Sequence, residues 1–491
     1  MNGARKLSTL GWPPMDKMLL RNFILDLLQS CMFTMLGVFL LGPVAVSAAE
    51  STTGLKSVVD EFEGAFPKSI QSNGRVREFE LIAAESGWGL VPPYQAGTWS
   101  YNDQIPGPTL RIKLGETLQV RLINKLAEPT SIHWHGIRVP NAMDGVPSLT
   151  QASIKSGSEF TYRFTPKDAG TFWYHPHVRS AEQVERGLYG VVVVEDPGEP
   201  EYSREWVWIL DDWLIDNNRT IVDTFVTRHD LAHDGRWGNY LTVNGQHRPG
   251  YSAKPGERIR IRMVNVANAR VFAPEISTVR ATVIAVDGML TESAFPLDRF
   301  ILAPGNRIDV DFIVPANSKG AVLDVVDRFS RKPEVLASVR VEPTEAIKTP
   351  HFDAPSAKHF PNWNQVLEMP VFHNFVLDAE RGGHYGIVWT IDGQAWPERN
   401  VVTLKTNRFY RLRFSNLSSR LHPMHLHGQF FKLIARNGQS VDERFWRDTV
   451  LIEGNESVDI GLVPLDKGNW ATHCHILEHA EAGMMSVLQV E

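Results

Sequence analysis

Residues 109–126 read "TLRIKLGETLQVRLINKL". Leu110, Ile112 and Leu114 alternate with Arg111 and Lys113, Gly115 interrupts, and the alternation resumes through Leu118, Val120 and Leu122. Side chains two apart on a strand share a face, so the stretch predicts two strands, each with one buried and one solvated side, joined by a turn. Its closing phrase returns twice: "VRLIN" ends at Asn124, "IRMVN" at Asn265 and "LRFSN" at Asn416. Separations of 141 and 151 residues are those of duplicated whole domains, not of a short solenoid repeat. We therefore expect an all-β chain of three domains, at 75–196, 197–345 and 360–491, with a Pro-containing linker around 342–361. Residues 50–74 are polar and irregular and yield no predicted element.

At 491 residues and 43% hydrophobic, the chain can build several cores. A net charge of −6 without a Lys/Arg run in its body argues against a nucleic-acid surface and for small-molecule chemistry. The N-terminus places Lys17 and Arg21 before the apolar stretch "MFTMLGVFLL" (32–41) and the small-residue stretch "VSAAE" (46–50). That order predicts a signal peptide over 1–49, and ten apolar residues are too few for a stable membrane span. We expect an exported monomer, periplasmic or secreted. The only cysteines are Cys31, inside the leader, and Cys474. An unpaired thiol in an exported protein suggests a reactive or metal-bound group.

The repeat also locates the chemistry. Nine residues past Asn124 stands His133 of "HWHG" (133–136), and nine past Asn416 stands His425 of "HLHG" (425–428). Nine past Asn265 is Pro274, with no histidine near it. Gly170 is followed at five and seven residues by His175 and His177, and Gly468 in the same way by His473 and His475. In the middle copy the corresponding glycine is Gly320, and the same spacing lands on Val325 and Asp327. The outer copies thus carry four His-x-His pairs, and the middle copy carries none. On a strand such a pair presents both imidazoles on one face. One pair alone is more often structural than ligating, but four in register with a repeat point to a shared metal site. Neutral imidazoles without a recurring carboxylate suit a borderline metal such as copper. His229, His247 and His384 lack this register and read as ordinary polar residues.

Residues 473–479, "HCHILEH", add a second site. If His473 and His475 face the shared site, Cys474 points the other way. His422, His479 and Met484 stand outside the pairs, and two imidazoles, a thiolate and a weak thioether form a blue-copper donor set. The Cys474 backbone would then join two metal centres covalently.

Together "HWHG", "HPH" (175–177), "HPMHLHG" (422–428) and "HCHILEHAEAGM" (473–484) resemble the four copper signatures of three-domain, bacterial laccase-like multicopper oxidases, over residues 75–491. The resemblance implies three cupredoxin-like Greek-key β-barrels and four coppers. It assigns His422, Cys474, His479 and Met484 to a type 1 copper, and His133 and His425 to a type 2 copper. One type 3 copper would take His135, His175 and His475, the other His177, His427 and His473. It further implies one-electron oxidation of phenols or aromatic amines coupled to reduction of dioxygen to water. Two alternatives stand beside this. A cuprous oxidase would act on Cu(I), but the Met-rich insertion common in that type is missing, with only Met369 in 351–420. A copper-free scaffold is disfavoured because every ligand position is filled.

Asp144 of "NAMDGVP" (141–147) matches a family carboxylate that delivers protons, although a turn residue before Gly145 would look the same. Ala480 stands where many bacterial members carry a relay glutamate. Glu478 and Glu481 are nearby candidates for that relay, with a solvated surface charge the favoured reading of both, and Asp211 and Asp212 of "LDDW" (210–213) read as a strand-end turn or a contact to phenol.

Overall fold

The computed structural model describes residues 58–60, 62, 65–66, 69–357 and 364–491. The leader predicted at 1–49, with Cys31, lies outside them. The described residues are mainly β, and their six sheets come in three pairs. The first pair is built from strands within 76–195, the second from strands within 204–341 and the third from strands within 373–490.

The recurring phrase forms the same strand in every copy, as Thr117–Asn124, Arg258–Asn265 and Tyr410–Asn416. Each lies parallel to the first strand of its copy, namely Val76–Ser86, Arg204–Trp213 and His373–Arg381, and antiparallel to a later one. In the first copy Leu118, Val120 and Leu122 are buried while Arg121 is exposed, the alternation that makes one face a core. The terminal asparagines recur for a reason visible in their hydrogen bonds. Asn124 Nδ2 donates to the carbonyls of Glu128 and Ile154, Asn265 Nδ2 to those of Arg270 and Leu302, and Asn416 Nδ2 to those of Arg420 and Glu453. Each Oδ1 accepts the backbone N–H two residues on, so one side chain pins the turn out of the strand.

Those turns deliver the histidine strands. His133 pairs with His175 and His425 with His473 across antiparallel ladders. In the middle copy the strand Pro274–Ile276 pairs with Val322–Asp327, and neither carries a histidine. The repeated glycines mark close approaches between copies: a Cβ on Gly170 would stand 1.9 Å from the Gly288 carbonyl oxygen, and one on Gly468 2.4 Å from Asn141 Cγ. At the Gly468 contact Asn141 Nδ2 donates to the Asn469 carbonyl at 2.7 Å, which stitches the first copy to the third.

The stretch 50–74, without a predicted element, contributes an anchor. Val58, Phe62 and Phe66, spaced four apart, are buried. Phe66 stacks on Phe430 at 5.1 Å and Phe62 meets Trp446 edge-on at 4.8 Å. The helical spacing in "VVDEFEGAF" (58–66) carried this signal, but its acidic residues masked it. Among the described residues no helix is long and apolar enough to cross a membrane.

Candidate metal centres

The eight paired histidines converge at the seam between the first and third copies. Ring centroids lie 3.7 Å apart for His133 with His427 and for His135 with His425, so each close pair takes one ring from each copy. His135, His175 and His475 stand 5.0 to 5.8 Å from one another. His177 and His427 each approach His473, with Nε2 to Nε2 distances of 3.4 and 3.0 Å. His177 is half-buried and the other seven are buried.

One nitrogen of most rings is already spoken for. Nδ1–H of His133 donates to the Asp144 carbonyl, that of His175 to the Pro176 carbonyl, that of His425 to the Asp448 carbonyl, and that of His473 to the Cys474 carbonyl, all at 2.9 to 3.0 Å. His427 Nδ1–H donates to Asp144 Oδ2 at 2.9 Å. This fixes the tautomers and turns Nε2 lone pairs inward. His135 is reversed: its Nε2 faces Asp448 Oδ1 at 3.3 Å and its Nδ1 is free. Nε2 of His133, His175 and His425, Nδ1 of His135 and both nitrogens of His475 are buried without a protein partner. Unpartnered buried polar atoms are costly, and so many at one point fit bound metal.

Burial, reinforced by neighbouring imidazoles, pushes His135, His175, His177, His427 and His475 well below the usual histidine range. It also lowers His425, and brings His473 to about 3. These rings are neutral near pH 7 and so available as donors, and neutral imidazole is a copper ligand.

A second group sits on the opposite side of the Gly468–Cys474 strand. Cys474 Sγ lies 3.5 Å from His422 Nδ1 and 3.9 Å from His479 Nδ1, and the two Nδ1 atoms are 3.3 Å apart. Their Nε2–H groups are held from behind, by Ser418 Oγ for His422 and by the His233 carbonyl for His479, both at 3.0 Å. Met484 is buried beside them, its carbonyl accepting from the Cys474 N–H and its N–H donating to the His479 carbonyl. The thiol is raised by burial, His422 lies well below its usual range, and His479 falls to about 3. Two neutral imidazoles and a sulfur at these distances fit a thiolate-bound copper. Trp389, which no motif signalled, packs on both rings at 4.7 and 4.4 Å.

Asp144 is more than a turn residue, since it holds His133 through its carbonyl and His427 through its carboxylate. Asp448, absent from the sequence reading, makes the matching contacts in the third copy, its carbonyl to His425 and its carboxylate to His135. Two sequence expectations change. Glu478 is wholly buried, accepting from Asn268 Nδ2 at 2.8 Å and the Arg236 N–H at 3.3 Å, and burial pushes it up to about 8. It faces middle-copy residues that the local sequence does not reveal. Asp211 and Asp212 lie inside the Arg204–Trp213 strand, buried, and are bound by Tyr189 Oη–H at 2.5 Å and Arg270 Nε at 2.7 Å. They lie in a strand and not in a turn, each with a partner inside the protein. A cleft of about 610 Å³ between the middle and third copies, floored by Asn306, Phe445 and Arg447, includes none of the histidines.

Family models described as multicopper oxidase match residues 88–199, 204–321 and 368–491. The chain is similar to multicopper oxidase MmcO of Mycobacterium tuberculosis, with 31% identity covering 90% of this chain and 91% of the relative. It is also similar to a copper resistance protein A homolog of Pseudomonas syringae pv. tomato, with 26% identity covering 87% and 95%. Among solved structures, a multi-copper oxidase from Pseudomonas thermotolerans superposes with a TM-score of 0.75 at 33% identity, covering 85% of this chain and 99% of that one.

Proposed function

The chain belongs to the multicopper oxidase family, and from that premise we propose that it is a laccase-like member, oxidising phenols or aromatic amines at a type 1 copper and reducing dioxygen to water at a trinuclear cluster. The observation that carries the reading is the strand Gly468–Cys474 and its continuation to His475: His473 and His475 join the eight-ring cluster, while Cys474 faces His422 and His479. In this reading the type 1 copper is held by His422, Cys474, His479 and Met484, and the type 2 copper by His133 and His425. His135, His175 and His475 hold one type 3 copper, and His177, His427 and His473 the other. When bound, copper supplies a one-electron acceptor at the thiolate site and stored electrons for dioxygen at the cluster.

The chain's own residues do the rest. Burial of both sites excludes bulk water, which strengthens every electrostatic contact there. The Cys474 carbonyl accepts from His473 Nδ1–H, so a hydrogen bond parallels the covalent link between the sites. Ser418 and the His233 carbonyl keep the Nδ1 lone pairs of His422 and His479 on the sulfur side. Asp144, in contact with one histidine from each outer copy, takes the proton-relay role in place of the glutamate missing at Ala480. The leader expected from the sequence over 1–49 supports a reaction outside the cytoplasm.

One observation favours a second reading. The similarity to a copper resistance protein A homolog suits a member whose reductant is Cu(I). Steady-state turnover of a methoxylated phenol and of Cu(I), in parallel on copper-loaded protein, separates the two. Cu(I) turnover far above phenol turnover would reject the laccase-like assignment in favour of a cuprous oxidase.

A further inference from the structure

We propose that Arg307, a residue of the copy that supplies no ligand, is a positioning residue for the histidine cluster, acting through Asp448 on His135 and His425. The inference rests on the copper assignment above.

Arg307 is fully buried, and all five of its N–H groups are used. Nη1 donates to Asp448 Oδ1 at 2.9 Å and the Gly305 carbonyl at 3.0 Å. Nη2 donates to Asp448 Oδ2 at 2.6 Å and the Asp287 carbonyl at 2.9 Å, and Nε to the Thr171 carbonyl at 3.2 Å. The guanidinium thus grips the Asp448 carboxylate with both forks while anchored to the first and middle copies. A lysine, with three donors on a point charge, does not reproduce this. Asp287 completes the clamp, its Oδ2 accepting the N–H groups of Asp448 and Thr449 at 3.1 and 3.2 Å.

What the clamp holds is ring orientation. Asp448 Oδ1 accepts Nε2–H of His135, leaving Nδ1 as its inward nitrogen, whereas its carbonyl accepts Nδ1–H of His425, leaving Nε2. The two stacked rings therefore offer opposite nitrogens because one aspartate binds each from a different atom. Rotating the Asp448 carboxylate would release the His135 tautomer. Gly136 of "HWHG" records the same junction: a Cβ there would lie 2.1 Å from Arg307 Nη2 and 2.7 Å from Asp448 Oδ2. Backbone of the first copy, a cation of the middle copy and an anion of the third meet at one point. Asp144 makes the matching contacts without an arginine partner among the described residues, so the clamp is specific to one side of the pseudo-symmetric seam.

The test uses the full chain loaded with copper, with Arg307→Met and Asp448→Asn made singly and together. Three quantities are read: cluster copper retained against a competing chelator, the electron paramagnetic resonance signature of the type 2 copper, and the blue absorption of the type 1 site as a control for folding. Each single change is expected to weaken retention about 10- to 100-fold and to alter the type 2 hyperfine pattern, with the blue absorption intact. The double variant is expected to be no worse than the worse single, because one residue acts through the other. Wild-type retention and spectrum in Arg307→Met, or losses that multiply in the double, would overturn the proposal. If Arg307→Met yields no blue protein, Asp448→Asn decides alone, and a wild-type result there overturns it. Wild-type protein lacking cluster copper would instead overturn the assignment beneath, which keeps the two failures distinct.

Discussion

Asp144→Asn isolates the cluster half of the reaction. The carboxylate accepts from His427 Nδ1 at 2.9 Å, and its other oxygen lies 3.3 Å from His133 Nδ1. Asparagine can keep one acceptor toward His427, but its amide N–H groups then face the Nδ1–H of His133, a donor against a donor. The change turns the charge-assisted hydrogen bond to His427 into a neutral one and sets a donor against a donor at His133, together a cost of about 1.5–3 kcal/mol in a buried site. At about 1.4 kcal/mol per factor of ten, that is roughly a 10- to 150-fold loss in the population of correctly oriented rings. The cost falls on the cluster alone, because neither His422 nor His479 touches Asp144 among the described residues. Two stopped-flow half-reactions resolve it. Anaerobic bleaching of the blue band by a phenol is expected to keep its wild-type rate, while return of the band on adding dioxygen slows about tenfold or more. Slow bleaching with normal return would refute the reasoning, since it would place Asp144 on the type 1 side.

Two further outcomes follow from the same geometry. Met484→Leu removes the thioether beside the thiolate site and is expected to raise the type 1 potential; a fall by voltammetry would show that Met484 is not axial. In copper-free protein nine cluster and type 1 histidines have folded-state values pushed below the ordinary value of about 6.5. Below about pH 6.5 the unfolded chain gains protons that the folded chain refuses, so stability falls as pH falls, and the fall continues until the folded values are reached, about 3 for His473 and His479. Each such histidine contributes up to about 1.4 kcal/mol per pH unit within that window. Melting temperature of the copper-free chain should therefore drop steeply from pH 7 to 5, and a flat profile would contradict burial of neutral rings.

The repeat, the four His-x-His pairs and the cysteine between two of them were legible because their information is local. Strand alternation fixes which neighbours share a face, and equal spacing from Asn124 and Asn416 ties the pairs to one register. Asp144, eleven residues past His133, was legible only through its match to the family's carboxylate. Asp448 was not, because it stands 23 residues past His425, on the far side of an intervening hairpin, although it makes matching contacts. Arg307 and Asp287 come from the copy without ligands, so no spacing from a histidine could reach them. Glu478 shows the opposite failure: its sequence neighbours suggest a solvated helix face, and only packing against Asn268 and Arg236 buries it.

The divergence of side chains along residues 473–475 is tested most directly by metal analysis and spectroscopy of Cys474→Ser. With the thiolate gone, the blue band and substrate oxidation are expected to vanish while copper in the eight-histidine cluster remains bound, because those rings face away from the sulfur. Loss of the cluster copper together with the blue band, or normal turnover without it, would contradict two sites joined through one strand.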